Sequence, residues 1–382
     1  MALWEGFRFH RLTQVPIPSR DGDPHSARRN AFGVLSAALG AAHAGLLATG
    51  DGAALATAWI RPPGQEGMQL LRGGRPDFPP AMNAAPGETD GARRVLFPPG
   101  AAAIDLPTAQ VAEEFAALGH WVPCAVRADA LWATASPREA VAVRRHTFDR
   151  YAVHLGVPFA FLVMARPLRP DEVAPELDTL VNEIMPLTRP EVGEAKRIDL
   201  ERHQARFREL SRARVGGAWQ TSVLVGGVDA ASAAASAAVL CSAAELDGLP
   251  YVLEPAGPAR SLQEAMDADG GGPDGRSGFT TGTELLTALT RPPDREVPGV
   301  RMVEPRTFDV TPELVAAGEV TCGEVLDEAG TAVGQLALSR DMLNRHTFVC
   351  GATGSGKSMT VRHLLTEASR VGLPWLVIEP AK

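Results

Sequence analysis

Lysine and tyrosine are scarce in this sequence of 382 residues. Of its 37 lysine and arginine residues, only Lys196, Lys357 and Lys382 are lysines, and the chain has two tyrosines. Alanine, glycine, proline and arginine are abundant, a bias typical first of all of a GC-rich genome. The net charge of −8 and the pI near 5.7 exclude a chain that is basic throughout, but they leave room for a local basic channel that binds nucleic acid.

Cysteine is also rare, and long apolar segments are not evident. The four cysteines (Cys124, Cys241, Cys322 and Cys350) are far apart and show no C-x-x-C spacing. This pattern argues against a disulfide framework or a zinc site and predicts free thiols in a reducing cytosol. The N-terminus lacks the basic-then-apolar order of a signal peptide. No apolar run approaches the roughly 20 residues that span a bilayer. We therefore expect a cytoplasmic protein with no membrane segment.

One stretch near the C-terminus carries a phosphate-binding pattern. Residues 347–358, TFVCGATGSGKS, contain G-x-x-x-x-G-K-[ST], with Gly351, Gly356, Lys357 and Ser358 at the fixed positions. The glycines allow backbone conformations in which successive N–H groups turn inward around phosphate. Lys357 is expected to place its ammonium on the β- and γ-phosphates of ATP. The Ser358 hydroxyl suits Mg²⁺, which prefers oxygen ligands.

A phosphate loop of this kind requires a strand before it and a helix after it. Residues 347–350 form a short apolar run typical of a strand buried in a parallel sheet. After Ser358, the apolar residues Val361, Leu364, Leu365 and Ala368 recur at helical spacing. The N-terminus of that helix is expected to point its free N–H groups at the phosphates.

The remaining sequence alternates between strand patterns and helix patterns, which indicates the α/β class and favours a split βαβ sandwich. We predict strands near residues 1–24, 120–133, 159–165, 219–226 and 251–255, and helices over residues 29–43, 105–118, 171–185, 194–213, 230–246 and 283–290. We predict hairpins over residues 45–60, turning at residues 50–52, and over residues 319–338, a long surface excursion over 61–100, and a surface linker over 256–278.

The predicted helix over residues 194–213 is rich in arginine. Its basic residues, continuing just past the helix, are Arg197, Arg202, Arg206, Arg208, Arg212 and Arg214. Acidic residues are interleaved with them at spacings that form pairs within one helix. This pattern favours a solvated structural helix, with contact to nucleic acid as the alternative.

The last hundred residues resemble a known family. The runs LNRHTFVCGATGSGKSMTVRHLL and GLPWLVIEPAK, together with the glycine-containing hairpin before them, are similar to HerA-type ATPases of the HerA–FtsK superfamily. The features most particular to this branch are VIEPAK, residues 377–382, and His346. Residues 319–338 are similar to the small β-barrel that precedes the motor, and residues 284–299 resemble its approach segment. For residues 1–255 the resemblance is limited to α/β accessory regions.

Members of this family are ring-forming, RecA-like motors that mostly move DNA, with relatives in conjugative secretion and phage defence. The resemblance implies ATP and Mg²⁺ as cofactors, a homo-hexamer, and DNA as a partner, with defence or secretion proteins as further partners. It also implies an α/β chain divided into an accessory region over 1–255 (with a break near 61–100), a linker and short helix over 256–300, a β-hairpin or barrel-like element over 301–340, and the start of a RecA-like phosphate-loop domain over 341–382.

The family's functional positions transfer to residues of this chain. The nucleotide cradle corresponds to Gly351, Ala352, Thr353, Gly354, Ser355, Gly356, Lys357, Ser358 and Met359, with Ser358 on the metal. Lys357 and Glu379 are the candidate catalytic residues. Glu379 lies in the second-strand sequence, residues 377–382, and either positions Mg²⁺ or water or is a solvated residue at the strand end. For Lys382 the alternatives are a second functional lysine and a lysine without such a role. For His346 they are a packing or hydrogen-bonding residue and a catalyst.

A complete phosphate-loop motor also needs a later acid for Mg²⁺, a group that orients water, and usually a neighbour's arginine. Because the sequence ends directly after the second strand, we expect residues 1–382 to be the N-terminal part of a longer motor and to show no ATPase activity alone. The expected function is a HerA-like DNA translocase or helicase. The alternatives are a conjugation or secretion ATPase, or a nucleotide-binding regulator that translocates nothing.

Overall fold

The structure is a computed structural model of the chain, and it consists of two compact units. The first comprises Met1–Ala84 and Glu88–Glu304, and the second comprises Ala85–Gly87 and Pro305–Lys382. The structure describes residues 2–17, 24–50, 52–76, 93–96, 98–128, 147–188, 193–244, 246, 249, 251–267, 278–303, 318–326, 332–352 and 354–378.

The described part of the first unit combines strands and helices with one short 3₁₀ helix, Ala2–Trp4. The strands are β1 (Arg8–Pro16), β2 (Ala54–Arg61), β3 (Gln69–Arg75), β4 (Arg93–Leu96), β5 (Pro99–Leu106), β6 (His120–Ala128), β7 (Phe159–Leu168), β8 (Ala218–Gly227), β9 (Tyr251–Pro255), β10 (Phe279–Gly282) and β11 (Arg301–Val303). The helices are α1 (Pro24–Ala48), α2 (Thr108–Ala116), α3 (Thr147–His154), α4 (Pro170–Leu187), α5 (Glu194–Gly216), α6 (Ala230–Ala243), α7 (Leu262–Asp267) and α8 (Thr283–Thr290).

These strands form one sheet in the order β4-β5-β1-β3-β2-β7-β8-β6-β9. All of the pairings are antiparallel except that of β1 with β11, which is parallel. On each of two strands, β1 and β8, one edge pairs with two different strands in succession. β8 pairs with β10 over its first residues and with β6 over its last ones, and β1 pairs with β5 and then with β11. The pairing of β10 with β8 fixes the start of α8, because α8 follows β10 directly in the chain.

Both faces of the sheet are buried. Successive residues of a strand point to opposite faces, and in the central strands both sets are apolar. In β2, Leu55 and Trp59 belong to one core cluster, whereas Ala56 and Ile60 belong to the other. The first cluster is covered by α1, α3, α6 and α8, and the second by α2, α7 and the N-terminal residues Trp4 and Phe7. The result is a three-layer α/β/α arrangement around a mainly antiparallel sheet, and the α/β class predicted from the sequence is confirmed.

A helical hairpin, α4 and α5, extends from the end of β7 and leads into β8. Its separate apolar cluster contains Val173, Leu177 and Leu180 of α4 with Leu210 and Ala213 of α5. Val181 of α4 does not belong to this cluster and is 40% exposed. Among the residues that line this cluster, Leu210 is fully buried and joins the otherwise charged helix α5 to the body of the unit.

Several elements lie where the sequence predicts them. Strands β6, β7, β8 and β9 and helices α4, α5, α6 and α8 overlap the predicted segments, with ends that differ by a few residues. The predicted strand over 120–133 is observed as far as Ala128, and its last residues lie outside the described part of the chain. The predicted helix over 105–118 begins three residues late, because Asp105 and Leu106 still belong to β5.

The predicted hairpin over residues 45–60 and the surface excursion over 61–100 are wrong. Residues 45–48 complete α1, and the hairpin that exists joins β2 to β3, with Ala54 opposite Arg75. β3 lies inside the sheet although its sequence contains two glycines and two arginines. At Gly73 a Cβ would lie 2.5 Å from the Phe9 ring, so the glycine leaves room for an aromatic side chain of the neighbouring strand. Residues 77–92 lie outside the described residues.

Arg72 shows why the sequence of β3 does not look like that of a buried strand. This residue is 1% exposed, and its guanidinium donates to Thr57 Oγ1 on the neighbouring strand and to the Thr290 carbonyl oxygen at the end of α8. A cation at a helix C-terminus is favourable because the helix dipole is negative there. Burial lowers the pKa of Arg72 to about 9, so the side chain stays charged at neutral pH and holds α8 against the sheet.

The predicted linker over residues 256–278 contains a helix. α7 spans Leu262–Asp267 and buries Ala265 against the second face of the sheet. Its N-terminus has reciprocal bonds between Ser261 and Glu264, with the Ser261 N–H donating to Glu264 Oε2 over 3.0 Å. The S-x-x-E spacing of a capping box was therefore present in the sequence and identifies the helix. The abundance of glycine and proline around it obscured this signal.

Helix α1 also corrects an expectation. Its part Asn30–Ala48 is 19 residues long with mean hydropathy 1.6, so by length and composition it meets the criterion for crossing a membrane. The expectation that no apolar run approaches this length is wrong. Leu35, Leu39, Ala42 and Leu46 of this helix are buried in the first core cluster, as in a core helix of a folded domain.

All four cysteines are free. Cys124 and Cys241 are distant in sequence, yet their sulfur atoms lie 3.5 Å apart where α6 packs on β6. The hydrogen bond from Cys241 and burial raise the pKa of Cys124 well above its usual value, so Cys124 is a thiol at neutral pH. The predicted free thiols are confirmed.

The described part of the second unit consists of a hairpin and two helices. β12 (Val320–Leu326) and β13 (Ala332–Leu338) are antiparallel, as the sequence predicted, with Val320 opposite Leu338. They are followed by α9 (Arg340–Leu343) and α10 (Lys357–Arg370). The division into four regions stays a prediction.

One buried carboxylate makes the stability of the first unit depend on pH. Asp149 of α3 is 2% exposed, and its Oδ2 accepts a hydrogen bond of 2.8 Å from the Asp294 N–H. Burial raises the pKa of Asp149, against the weaker opposite effects of that hydrogen bond and of Arg291. Because the folded state binds this proton more tightly than the unfolded state does, ionisation of Asp149 costs stability as the pH rises above the unfolded value of 3.8.

We expect Asp149→Asn to be at least as stable as the wild type at pH 7.5, because the amide oxygen still accepts from Asp294 and carries no charge. The advantage should shrink as the pH falls toward 4, where the wild-type carboxyl is protonated. Denaturant unfolding between pH 4.5 and 7.5 measures this difference. Asp149→Ala, which leaves the Asp294 N–H without its acceptor, should lose about 1 kcal/mol. A difference between Asn and Asp that does not vary with pH would contradict the assignment.

Candidate functional site

The glycine-rich segment, residues 351–356, leads directly into the N-terminus of α10. Gly356 is the N-cap residue of this helix and has φ of +85°, in the left-handed region that favours glycine. At Gly351 a Cβ would lie 2.4 Å from Ser355 Oγ, so a side chain there would close the loop. The two glycines at the fixed positions of the pattern are therefore required by the backbone and by the available space.

The lysine of the pattern reaches back over the loop. Lys357 Nζ donates to the Ala352 carbonyl oxygen over 2.5 Å, and the Ser355 N–H donates to the same oxygen over 3.2 Å. Lys357 is half-buried, whereas Ser358 and Met359 are exposed at the start of α10. The ammonium thus lies inside the turn that the loop forms. A bound phosphate offers this ammonium an anionic acceptor in place of a neutral carbonyl.

The N-terminus of α10 has no side-chain cap. Its first-turn N–H groups and the positive end of the helix dipole therefore face the loop, which is the arrangement that binds phosphate in proteins. The N–H groups at the start of α10 and the Lys357 ammonium are donors of the kind that bind a nucleotide phosphate. In the described part of the chain no group of three or more His, Cys, Asp or Glu residues has the spacing to hold a metal ion. Mg²⁺ fits here on the Ser358 hydroxyl together with phosphate oxygens of the nucleotide.

Helix α10 is held by the hairpin and by the segment that follows the helix. His363 Nε2 lies 3.1 Å from the Thr321 carbonyl oxygen of β12, and the Arg340 guanidinium donates both to Glu319 and to the Val371 carbonyl oxygen. Beyond its C-terminus, Gly372 has φ of +75°, and the Leu373 N–H donates to the Ala368 carbonyl oxygen over 2.9 Å. These contacts fix the helix that carries Lys357 and Ser358.

The strands predicted on either side of the loop helix are not observed. Residues 347–350 and 373–378 are irregular, and their apolar side chains are exposed, with Phe348 at 89%, Leu376 at 82% and Ile378 at 82%. A strand of a parallel sheet requires hydrogen-bonded neighbours, and within the described residues neither segment has one. The predicted helix after Ser358 is confirmed, whereas the predicted strands before and after it are wrong.

Of the other candidate residues of this region, some lie in the described part of the chain and some lie outside it. Thr353, Glu379 and Lys382 lie outside the described residues, so their roles stay predictions. His346 is exposed, three residues after α9. The structure brings together Gly351, Ala352, Ser355, Gly356 and Lys357 in one turn, with Ser358 and Met359 at the helix start.

Two arginines of α5 in the first unit form pairs within the helix of the kind that their spacing predicted. Arg202 bonds to Asp199 over 3.3 Å and Arg206 to Glu209 over 3.1 Å. Arg206 also reaches Glu176 of α4 over 2.7 Å, a contact between helices that the sequence did not indicate. The half-buried Arg206–Glu176–Glu209 cluster, with Tyr251 beside it, was missed because its members are separated by up to 75 residues.

The loop and helix define a phosphate-loop nucleotide-binding segment. Residues 320–381 match the family model described as the central domain of the helicase HerA. This part of the chain is therefore similar to the central domain of HerA-type ATPases, in agreement with the resemblance. The family indicates an ATPase motor of the HerA–FtsK type and the use of a nucleotide. The match covers the described hairpin and α10 and none of the first unit. No curated protein sequence matches the chain.

The left-handed conformation of Gly356 gives a direct test of the loop. We expect Gly356→Ala to cost about 1–2 kcal/mol of stability, because an alanine is strained at this φ. Relief of that strain moves the loop away from the phosphate, so nucleotide affinity of the full-length protein should fall by up to about tenfold.

Gly372→Ala is the matched control, since it has φ of +75° at the other end of the same helix and open space around it. It should lose similar stability and keep its nucleotide affinity. Thermal unfolding and calorimetric titration with ATP measure both quantities. Equal loss of affinity in the two variants would show that the loop conformation is not specific to nucleotide binding.

Proposed function

We propose that this chain is part of an ATP-hydrolysing motor of the HerA type that acts on DNA as a translocase or helicase in its full-length form. The observation that carries the proposal is the position of Lys357 and Ser358 at the uncapped N-terminus of α10, within the segment that matches the HerA central domain. A phosphate loop alone supports nucleotide binding, and the family match supports the motor class. The activity on DNA is proposed beyond these two observations.

The chemistry proposed for the site is attack of water on the γ-phosphate of ATP. The residues that surround the nucleotide are Gly351, Ala352, Thr353, Gly354, Ser355, Gly356, Lys357, Ser358 and Met359. Backbone N–H groups of the loop and of the first turn of α10 hold the phosphate oxygens. Lys357 leaves the Ala352 carbonyl and stabilises the negative charge on the transferring oxygens.

In this proposal the Ser358 hydroxyl would hold a Mg²⁺ ion, which would supply neutralisation of the phosphate charge. Glu379 is proposed to position the metal or the attacking water at the end of the segment 373–378. Its alternative, a solvated carboxylate with no role in hydrolysis, is tested by Glu379→Gln. That variant keeps nucleotide affinity in both cases and loses turnover only if the carboxylate takes part.

We further propose a cytoplasmic homo-hexamer that binds DNA through the motor. Ring-forming ATPases place the nucleotide between subunits, and the exposure of residues 351, 352 and 354–356 is compatible with completion of the site by a neighbour. The net charge of −8 argues that most of this chain is a poor DNA-binding surface and that the contact is local. A conjugation or secretion ATPase and a regulator without translocation remain the alternatives.

The lysine tests the nucleotide assignment. In the full-length protein, Lys357→Ala should lower ATP turnover by about 10²–10³-fold, because it removes a cation that stabilises the transferred phosphoryl group. Lys196→Ala, at an exposed position of α5, is the matched control and should leave turnover unchanged. A steady-state phosphate-release assay measures both. Wild-type turnover in Lys357→Ala would contradict the proposed function.

DNA and assembly separate the proposed motor from its alternatives. The full-length protein should be an oligomer, its ATP turnover should rise with DNA, and its DNA affinity should fall at least about tenfold between 50 and 200 mM salt. Light scattering, turnover assays and anisotropy titrations measure these properties. An oligomer whose ATP turnover does not change when DNA is added would instead support a secretion ATPase. A monomer with slow turnover and no salt-dependent DNA binding would support a regulator.

A further inference from the structure

A cavity in the described part of the first unit lies far in sequence from the phosphate loop. It is bounded by α1, by the C-terminal half of α5, and by the start of α8, and its volume is about 590 Å³. Small-molecule sites in proteins are commonly clefts of about 300–1,000 Å³ with mainly apolar walls and a few polar groups. The size of this cavity therefore suits a small organic molecule.

The cavity exists because small residues line it where the three helices meet. α1 contributes Ser36, Ala37 and Gly40, and α5 contributes Ala205 and Ala213. At Gly217, between α5 and β8, a Cβ would lie 2.6 Å from Thr283 Oγ1, and φ is +111°. That glycine lets Thr283 donate to the Gly217 carbonyl oxygen and hold the start of α8 at the rim of the cavity.

One wall of the cavity is a rigid polar cluster. Arg206 donates to Glu176 over 2.7 Å and to Glu209 over 3.1 Å, and the Tyr251 hydroxyl also donates to Glu209. Burial opposes the charge of Arg206, but Glu209 and Glu176 raise its pKa above the usual value. The charge of Glu209 is therefore compensated within the wall, and the position of its carboxylate and of the Tyr251 ring is fixed.

Two arginines at the cavity have no such partners. Arg208 and Arg212, one helical turn apart on α5, line the cavity and are exposed. Within the described residues neither forms an ion pair, and Arg208 makes only one hydrogen bond, to the Gln204 carbonyl oxygen of its own helix. Glu284 of α8 is the opposing charge at the rim. The guanidinium pair thus presents donors suited to a phosphate or a carboxylate.

We propose that this cavity binds a small organic anion. Its apolar body lies against the small residues of α1 and against Leu249 and Leu285, and its phosphate or carboxylate group bonds to Arg208 and Arg212. Glu284 weakens the binding by repulsion, and the Arg206 cluster supplies a wall that does not move. The site belongs to the first unit and is independent of nucleotide binding at the phosphate loop.

The probes are 1-naphthyl phosphate, 1-naphthoate and the neutral 1-naphthol, each added to the full chain. Hydrogen–deuterium exchange locates the binding, and calorimetric titration measures the affinity. We expect both anions to protect residues 205–217 and 282–285, and 1-naphthol to bind at least about tenfold more weakly, since it lacks the charge-assisted bonds. Protection of residues 351–358 is scored separately, as binding at the phosphate loop.

Four variants test the named residues. Arg208→Ala with Arg212→Ala should weaken binding of both anions about tenfold or more, and Glu284→Gln should strengthen it. Arg214→Ala, an exposed arginine of the same helix that does not line the cavity, should leave affinity within about twofold. Ala37→Phe, at an exposed position of α1 that fills the cavity without disturbing the core, should abolish the protection.

The relative affinities of the two anions identify the head group. Tighter binding of 1-naphthyl phosphate assigns the site to phosphate esters, and tighter binding of 1-naphthoate assigns it to carboxylates. Equal affinity for 1-naphthol and the anions, protection confined to other segments, or wild-type affinity in the double arginine variant overturns the proposal. So does unchanged binding in Ala37→Phe, which would place the ligand outside the cavity.

Discussion

Burial of the sheet on both faces is the constraint on which the first unit depends. An antiparallel sheet commonly leaves one face to water, but here β2, β7 and β8 are apolar at consecutive positions and need helices on both sides. At roughly 25 cal/mol for each Å² of apolar surface removed from water, this burial is the main stabilising contribution. It also dictates how polar residues enter the core. Arg72 is tolerated because Thr57 and the C-terminal carbonyl of α8 accept its hydrogen bonds.

The branch of the sheet at β8 connects this core to the cavity. β10 replaces β6 along the first residues of β8, and α8 begins immediately after β10. α8 is buried at every residue except Glu284 and cannot shift without exposing Leu285, Leu286 and Leu289. Its start therefore stands at a fixed distance from α5, and the small residues between the two helices leave a defined space. The cavity is a consequence of packing, while its charges come from residues that packing does not use.

The second unit relies on backbone conformation more than on a core. Of its described side chains, few are buried, among them Val320 and Ala368. The loop keeps its shape through Gly356 in the left-handed region, the close approach at Gly351 and the bond from Lys357 to Ala352. Arg340 joins the hairpin to the C-terminal end of α10, and His363 joins the hairpin to the middle of the helix. A phosphate site of this kind depends on backbone N–H groups and one ammonium and not on a buried core. The loop therefore keeps its shape although apolar side chains of the neighbouring segments are exposed.

Local signals in the sequence were sufficient for the phosphate loop, α10, the α4–α5 hairpin and the hairpin β12–β13, because each depends on spacing within one short segment. Sequence alone failed for β3, whose buried Arg72 and Gly73 are explained only by Thr57, Thr290 and Phe9 from other elements. It also failed for residues 347–350 and 373–378, since apolar runs do not form strands without neighbours to bond to. The Arg206 cluster, the Cys124–Cys241 contact and the cavity beside Arg208 and Arg212 join residues far apart in the chain. Only the tertiary structure decides such contacts, because no periodicity along one segment encodes which distant segment packs against it.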